Sequence, residues 1–309
     1  MILLWGLGTD PPLTAVRCAL ESLRVPFTHL EQRAVLDTRV ELDISRIVAG
    51  VVHCDRQTVD LTSVTACYLR PDDSRQIQDV AAAGKNSLAW HHALAVEDAL
   101  FCWAEMTPSF VVSRPSAMSS NSSKPFQLEL IRSHGMAVPE TLITTEPAAV
   151  LQFREECSDI IYKSVSAVRS KVSKFRSEHL DRIANVASCP TQFQQYISGD
   201  DYRIHVVGND VFATRIISDA DDYRYSAGDA ASCDVTPCEI PSELAETCKA
   251  IATGMGLPVA GLDLRRTTDD RWYCFEVNPS PGFTFYDVLP NEPIAMAIAR
   301  LLAGASEAE

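Results

Sequence analysis

The sequence predicts a mixed α/β protein, with a mainly parallel sheet in residues 1–110 and antiparallel hairpins towards the C-terminus. The first prediction rests on short apolar strands that alternate with segments of helical spacing, the pattern of a parallel sheet with crossover helices. The second rests on two pairs of alternating runs joined by turn-rich residues, at 202–217 and 259–278. At 309 residues, the chain is long enough for two or three compact units.

The composition is that of a globular protein and argues against several partners. The chain is 46% hydrophobic with a net charge of −14, which disfavours a broad nucleic-acid footprint or attraction to an anionic membrane. No stretch has the ~20 apolar residues of a membrane helix, and the N-terminus lacks the basic region of a secretory signal. The ten cysteines include no C-x-x-C pair, which favours reduced thiols in a cytoplasmic protein.

The N-terminal unit is predicted from alternating short elements. An apolar strand at Met1–Gly8 precedes a helix at Pro12–Arg24, which has proline in its first turn. Further strands are expected at Gly50–His53 and Thr65–Leu69, and a long helix at Leu88–Glu105. We therefore expect a mainly parallel sheet flanked by helices.

A polar, helix-poor stretch at Ser113–Ser123 is predicted to link this unit to the next. A helix then begins at Lys124, with Asn121 or Ser122 as its cap, and ends at Gly135. The charge of Lys124 opposes the helix dipole unless an anion binds there. An exposed lysine that extends into water is the alternative.

The middle of the chain reads as strands at Thr141–Thr144 and Asp159–Lys163, separated by a helix at Glu146–Glu155. Lys163 ends an apolar run and so emerges from a buried strand. The basic, serine-rich segment 164–174 fits a cover over phosphates and a plain surface loop equally well. A further strand is expected at Gln192–Ser198.

The first predicted hairpin joins Tyr202–Val207 to Val211–Ile217 through a three-residue loop. With that loop, Arg203 and Arg215 share a face of the sheet, where two arginines repel each other unless an anion lies between them. Arg224 follows shortly after and adds a third cation.

The second predicted hairpin, Val259–Asn278, carries a cluster of oxygen-bearing side chains. With Thr267–Asp270 as its loop, strand alternation puts Asp263, Cys274, Glu276 and Asn278 on one face. Asp263 then lies diagonal to Glu276, close enough to share an ion. Two carboxylates and a carboxamide suit Mg²⁺, which also takes substrate phosphates as ligands. A solvated face with ordinary acids is the alternative.

The order and separation of these residues resemble those of the ATP-grasp ligases, from about Arg114 to the C-terminus. The phrases that carry the resemblance are SSKPFQLELIRSHGMAVPETLIT, QFQQYISGDDYRIHVVGNDVFATRIISDADDYR and GLDLRR with FEVNPSPGF. They are most similar to the ribosomal-protein glutamate ligases and the microviridin-type (graspetide) peptide cyclases. The phrase YLRPDD resembles the Arg-Arg-Pro phrase of the cyclases, with Leu69 in place of the first arginine.

The resemblance implies a fold and a division of the chain. A pre-ATP-grasp α/β domain at residues 1–113 would precede two ATP-grasp subdomains, at 114–192 and 193–309. These subdomains would hold ATP between two antiparallel sheets.

The resemblance also implies roles for single residues. Lys124 and Lys163 would contact the α- and β-phosphates. The backbone of Gln195, Tyr196 and Ile197 would hold adenine, and Asp200 or Asp201 would lie near the ribose. Two Mg²⁺ ions, which Mn²⁺ could replace, would be held by three side chains, namely Asp263, Glu276 and Asn278. The reacting carboxylate and the γ-phosphate would face three arginines, namely Arg203, Arg215 and Arg224.

The implied function is an ATP-dependent ligase that joins a carboxylate to an amine or a hydroxyl through an acyl phosphate. Its partners would be ATP, a peptide or amino-acid carboxylate, and the acceptor, without nucleic acid or membrane; a homo-oligomer is left open. Two other functions remain open at this stage. One is a nucleotide-binding regulatory module without ligase activity, and the other is a phosphotransferase acting on a small, stable acceptor.

Overall fold

The computed structural model describes residues 1–55, 57–165, 172–218, 233–289 and 291–307. Its N-terminal elements are, in chain order, β1 (Ile2–Gly6), α1 (Pro11–Ser22), β2 (Phe27–Glu31), β3 (Arg39–Asp43), β4 (Ala49–Cys54), β5 (Gln57–Asp60), β6 (Ala66–Arg70), α2 (Gln78–Ala83), α3 (Leu88–Met106) and β7 (Phe110–Val112). The predicted strand–helix start and the long helix are confirmed.

The N-terminal unit contains two sheets where one mainly parallel sheet was expected. The parallel sheet has the order β2-β1-β6-β7, whereas β4 lies in a separate antiparallel sheet with the order β3-β4-β5. The predicted strand Gly50–His53 is therefore real but belongs to the second sheet. Its neighbours follow within a few residues, and connections that short can join antiparallel strands but not parallel ones.

Both faces of the parallel sheet are buried, as strand alternation requires. Leu3 and Trp5 face a core that includes Leu100 and Trp103 of α3. Ile2 and Leu4 face the other side, where α1 packs together with the last helix of the chain.

The middle elements are α4 (Pro115–Met118), α5 (Lys124–Ser133), β8 (Thr141–Thr144), α6 (Pro147–Cys157), β9 (Ile160–Ser164), β10 (Ser173–Lys174) and β11 (Thr191–Gln195). The strands form an antiparallel sheet in the order β10-β9-β11-β8. Residues 115–122, predicted as a linker, are helical instead, since Pro115 starts a short helix and Ser119–Ser122 continue it. The cap of α5 is Ser123 rather than Asn121 or Ser122.

The C-terminal elements are β12 (Asp200–Val207), β13 (Asp210–Ser218), β14 (Cys233–Cys238), α7 (Ser242–Gly254), β15 (Val259–Arg266), β16 (Trp272–Asn278) and α8 (Pro293–Glu307). The strands form an antiparallel sheet in the order β14-β13-β12-β15-β16. Its apolar face packs against α5 and α7. The division at 113/114 and 192/193 stays a prediction, and β11 lies across the second boundary.

The turn of the first hairpin is shorter than the predicted loop, Gly208–Asp210. Val207 pairs with Asp210, so that only Gly208 and Asn209 form the turn. Gly208 has a φ of +56°, and two-residue hairpin turns require such positive values.

This change of register separates two arginines that were expected together. Arg203 pairs with Thr214, whereas Arg215 pairs with Tyr202, because a shift of one residue moves every side chain of a strand to the other face. The prediction that Arg203 and Arg215 share a face is therefore wrong.

The turn of the second hairpin is longer than the predicted four residues. Arg266 pairs with Trp272, and the loop runs over Thr267–Arg271. Asp270 in this loop has a φ of +62°, which aspartate tolerates better than most residues. The register near the turn is therefore displaced by one residue.

A β-bulge compensates this displacement further along the hairpin. Leu264 pairs with Cys274 but Asp263 pairs with Glu276, which leaves Phe275 as the extra residue. Asp263 and Glu276 are therefore directly opposite each other rather than diagonal. Cys274, predicted on their face, lies in the apolar core instead.

The last helix ties the C-terminal part of the chain to the N-terminal sheet. Helix α8 contributes Ile294, Ile298 and Leu302 to the core that contains Ile2 and Leu4. No helix in the described ranges is both long and apolar enough to cross a bilayer.

Candidate active site

Charged side chains gather on one face of the five-stranded sheet, opposite its apolar core. The cross-strand pairs on this face are Arg203 with Asp263, and Asp263 with Glu276. The next row towards the last strand's end pairs Gly261 with Asn278. The structure thus brings together three predicted metal ligands and one predicted arginine.

Two ion pairs cross this cluster. The Arg203 guanidinium donates to Oδ1 of Asp263 at 2.5 Å, and Lys124 Nζ lies 3.2 Å from Oε2 of Glu276. All four side chains are at most 20% exposed. Each carboxylate is therefore held in place by a cation from a different element.

Lys124 reaches this cluster because Gln127 fixes the first turn of α5 to the edge of β16. The buried Gln127 side chain donates to the carbonyl of Val277 at 2.7 Å and accepts from its N–H at 2.9 Å. Residues three apart lie on the same face of a helix, so this pair of hydrogen bonds directs Lys124 towards Glu276. Gln127 was not predicted from the sequence, where a polar residue three positions after Lys124 was the available signal.

Arg203 is buried, at 5% exposure, between ring systems and Asp263. Its guanidinium lies 5.6 Å from the ring centroid of Tyr286, and its Nε donates to Nε2 of His205 at 3.5 Å. Burial first, and the Arg203 charge second, hold the pKa of His205 well below its ordinary value of 6.5. His205 is therefore neutral at pH 7.

The neutral state of His205 predicts a pH dependence of stability. A histidine whose pKa is depressed on folding contributes stability above pH 6.5 that is lost as the pH falls, because the unfolded state then takes up the proton. We expect the free energy of unfolding to fall below pH 6.5 by up to about 1.4 kcal/mol per pH unit, and to fall less in His205→Gln. Denaturant melts from pH 7.5 to 5 measure this slope. Substitution of the exposed His91 should leave the slope unchanged; equal slopes in wild type and His205→Gln would contradict the prediction.

Gly261 makes room for the Arg203 guanidinium. A Cβ at position 261 would lie 2.8 Å from Cζ of Arg203 and 2.8 Å from Cβ of Pro281. Such a contact forces the guanidinium away from Asp263, and misplacement of about 1 Å can reduce activity 100-fold.

Gly261→Ala is therefore expected to lower ATP-dependent turnover by about 10-fold or more while the protein remains folded. Gly282→Ala is the matched control, since a Cβ there meets nothing within 4 Å. Steady-state ADP release and thermal melts of both variants measure the effect. Equal activity of the two variants would show that Gly261 does not position Arg203.

The middle sheet presents a second polar face. Lys163, Gln192 and Gln194 are all buried, and Lys163 Nζ lies 3.3 Å from Oε1 of Gln194. Gln192 is the cross-strand partner of Lys163, whereas Phe193 points to the apolar side of the sheet. Lys163 was predicted from the sequence but neither glutamine was, although their alternation with Phe193 was the available signal.

The segment Gln195–Ile197 connects the two sheets, and several of its backbone groups are engaged. The N–H groups of Gln195 and Tyr196 donate to the carbonyls of Glu140 and Asp159. The carbonyl of Ile197 accepts from Arg265 at 2.7 Å. The predicted contacts of this backbone with adenine are therefore restricted to its remaining groups.

Tyr196 and Asp201 are each held by cations. Lys174 Nζ lies 4.4 Å from the Tyr196 ring centroid, and Arg265 Cζ lies 5.8 Å from it. Arg265 also binds both carboxylate oxygens of Asp201, at 2.7 and 2.9 Å. Asp201 lies on the same face as Arg203, two residues away along β12.

Two predicted arginines are not in this cluster as described. Arg215 pairs with Asp200 at 2.7 Å and is half exposed, on the opposite side of the sheet from Asp263. Arg224 lies outside the described residues, as does part of the basic segment 164–174.

The side chains present fit a magnesium ion in their chemistry. Asp263 and Glu276 supply two adjacent carboxylates, and Asn278 supplies an amide oxygen that accepts from the N–H of Ser280 at 3.0 Å. Oxygen donors are the ligands that Mg²⁺ takes in proteins. Within the described ranges there is no cluster of three or more His, Cys, Asp or Glu side chains suited to a metal.

A polar cavity of about 410 Å³ lies beside this face, at the carboxyl ends of the parallel strands. Arg70 crosses it, binding Asp10 at 2.6 Å and Ser280 Oγ at 2.9 Å. Ser280 also joins the cavity to Asn278. Crevices at the carboxyl ends of parallel strands are the usual place for ligands in α/β proteins.

Comparisons with known proteins agree with this geometry. Residues 121–302 match the family described as the RimK-like ATP-grasp domain. A protein of Photobacterium profundum, named probable alpha-L-glutamate ligase, is 28% identical over 214 residues, which are 62% of this chain and 66% of that protein. The match thus spans just under two thirds of that relative's length.

Two solved structures are similar over nearly the whole chain. The ATP-grasp ligase PsnB, complexed with a phosphomimetic variant of minimal precursor, Mg and ADP, is 27% identical with a TM-score of 0.79, covering 99% of this chain and 98% of that one. The macrocyclase MdnC from Microcystis aeruginosa MRC, bound with the precursor peptide MdnA, is 22% identical with a TM-score of 0.81, covering 98% and 99%. At 22% identity, the likeness to MdnC concerns the fold alone.

Proposed function

Because the chain belongs to the RimK-like ATP-grasp family, we propose that it joins a carboxylate to an amine or a hydroxyl at the expense of ATP, through an acyl phosphate. The observation that carries the proposal is the pairing of Asp263 with Glu276 on one face, each bound by a cation. A protein that only bound a nucleotide would not need this arrangement.

The proposed reaction has two steps. A carboxylate oxygen attacks the γ-phosphorus of ATP, the bond to the β-phosphate oxygen breaks, and ADP leaves. The amine or hydroxyl then attacks the acyl carbon and the carbon–oxygen bond to phosphate breaks. Inorganic phosphate leaves and the acceptor loses a proton, which gives an amide or an ester.

The first step brings a carboxylate and a triphosphate together, so it requires positive charge. Arg203 and Lys124 supply two cations at the carboxylate pair, and Lys163 supplies a third from the middle sheet. Fixed cations of this kind stabilise charge that develops in the transition state. Asp263, Glu276 and Asn278 would hold Mg²⁺, as one or two ions, which when bound adds positive charge next to the phosphates.

The proposed substrate is a peptide that carries the carboxylate, the acceptor or both. PsnB, which is 27% identical, has been solved in complex with its precursor, and this supports a peptide over a free amino acid. The cavity around Arg70 and Ser280 adjoins the carboxylate pair through Asn278. It is the proposed location of the acceptor.

The test is to incubate the protein with ATP, Mg²⁺, hydroxylamine and either candidate peptides or amino-acid pools. A ligase of this kind releases ADP and forms a hydroxamate, because hydroxylamine traps the acyl phosphate. A stable phosphorylated product without hydroxamate would identify a phosphotransferase instead. ADP release that does not depend on any carboxylate would contradict the proposal.

A further inference from the structure

Gln192 is fully buried in β11, yet neither polar atom of its amide has a hydrogen-bond partner among the described residues. Because both atoms are affected, exchanging the amide nitrogen and oxygen does not remove the problem. Buried polar groups in native proteins are almost always paired, since leaving them unpaired is costly. This exception therefore calls for a ligand that provides the missing partners.

The position of Gln192 points to the nucleotide of the proposed reaction. Its cross-strand partners are Lys163 in β9 and Ile143 in β8. Gln194, two residues away, projects from the same face and contacts Lys163. The other face of the strand carries Phe193 into an apolar cluster with Tyr162. The unpaired amide thus shares its face with the buried lysine.

The chemistry of an amide restricts what this ligand can be. Its NH₂ group donates and its oxygen accepts, so a full set of partners needs one acceptor and one donor. A phosphate offers only acceptors and would leave the Gln192 oxygen unpaired. Adenine presents an N7 acceptor beside an N6–H donor, an edge that glutamine binds through two bonds, whereas the same edge of guanine presents two acceptors.

We propose that Gln192 reads the base of the bound nucleotide and makes the site selective for adenine over guanine. The proposal rests on the proposed function for the presence of a nucleotide, and adds the residue that selects it. It also explains why a costly side chain is kept in the core, because binding of the base would satisfy it.

The test compares wild type with Gln192→Met, which has similar length and no hydrogen-bonding groups. Binding of ATP and of GTP is measured by calorimetry, without peptide or carboxylate, so that failure of ligation does not affect the result. We expect the ratio of ATP to GTP affinity to fall by about 10-fold or more. The melting temperature of the nucleotide-free protein should stay level or rise, because an unpaired amide has been removed.

Two further variants make the test decisive. Gln192→Leu should give the same loss of selectivity, and so covers the case in which one substitution fails to fold. Gln152→Leu, at an exposed position of α6, should change neither affinity. An equal loss of ATP and GTP affinity would assign Gln192 to the phosphates and overturn the proposal. A wild-type protein that binds both nucleotides equally, or neither, would overturn it as well.

Discussion

Glu276→Gln is expected to lower kcat/KM for ATP-dependent ligation by about 10²–10³-fold, with little change in fold. The substitution preserves the shape of a side chain that pairs with Asp263 and Lys124 but removes its charge. Losing one fixed charge or dipole aimed at the reacting centre commonly costs this much. ADP release in the presence of hydroxylamine measures the effect, and Asp263→Asn should reproduce it.

The control for this prediction is Glu129→Gln, at a side chain that is 67% exposed and should keep full activity. Calorimetry gives a second measurement that does not depend on turnover. Wild-type protein should bind ATP more tightly when Mg²⁺ is present, and Glu276→Gln should lose most of that difference. An unchanged magnesium dependence would remove Glu276 from the metal site, even if activity fell.

Arg203→Met is expected to abolish activity and also to destabilise the protein by about 3 kcal/mol. The guanidinium is buried against Asp263, and removing one partner of a buried ion pair leaves the other charge in a poorly solvated place. Chemical denaturation measures the loss of stability. Arg215→Met is the matched control, because that arginine is half exposed and lies on the other face.

The double variant Arg203→Met/Asp263→Leu separates the two roles of Arg203. Replacing both members of a buried ion pair by apolar residues is often neutral for stability, so most of the lost stability should return. Activity should not return, because the cation and a metal-binding carboxylate are both missing. Recovery of activity together with stability would show that Arg203 acts only through folding.

The register of the two hairpins shows where prediction from the sequence stopped. Both loops were misjudged by one residue, and only one of the errors was harmless. In the second hairpin, the bulge before Asp263 restored its pairing with Glu276. In the first hairpin no bulge intervened, so Arg215 came to lie on the wrong face. Neither turn length nor bulge position follows from alternation, because each depends on how the finished sheet twists and packs.

The sequence by itself determined the succession of strands and helices, the site of Lys163 at the end of a buried strand, and the common face of Asp263 and Glu276. Those features depend on local periodicity and on residue types near one another in the chain. Only the tertiary structure decided that Gln127 holds Lys124 against Glu276, that Gly261 leaves space for Arg203, and that Gln192 is buried without a partner. Each of these depends on contacts between segments far apart in sequence or on burial in the finished fold, which local patterns do not encode.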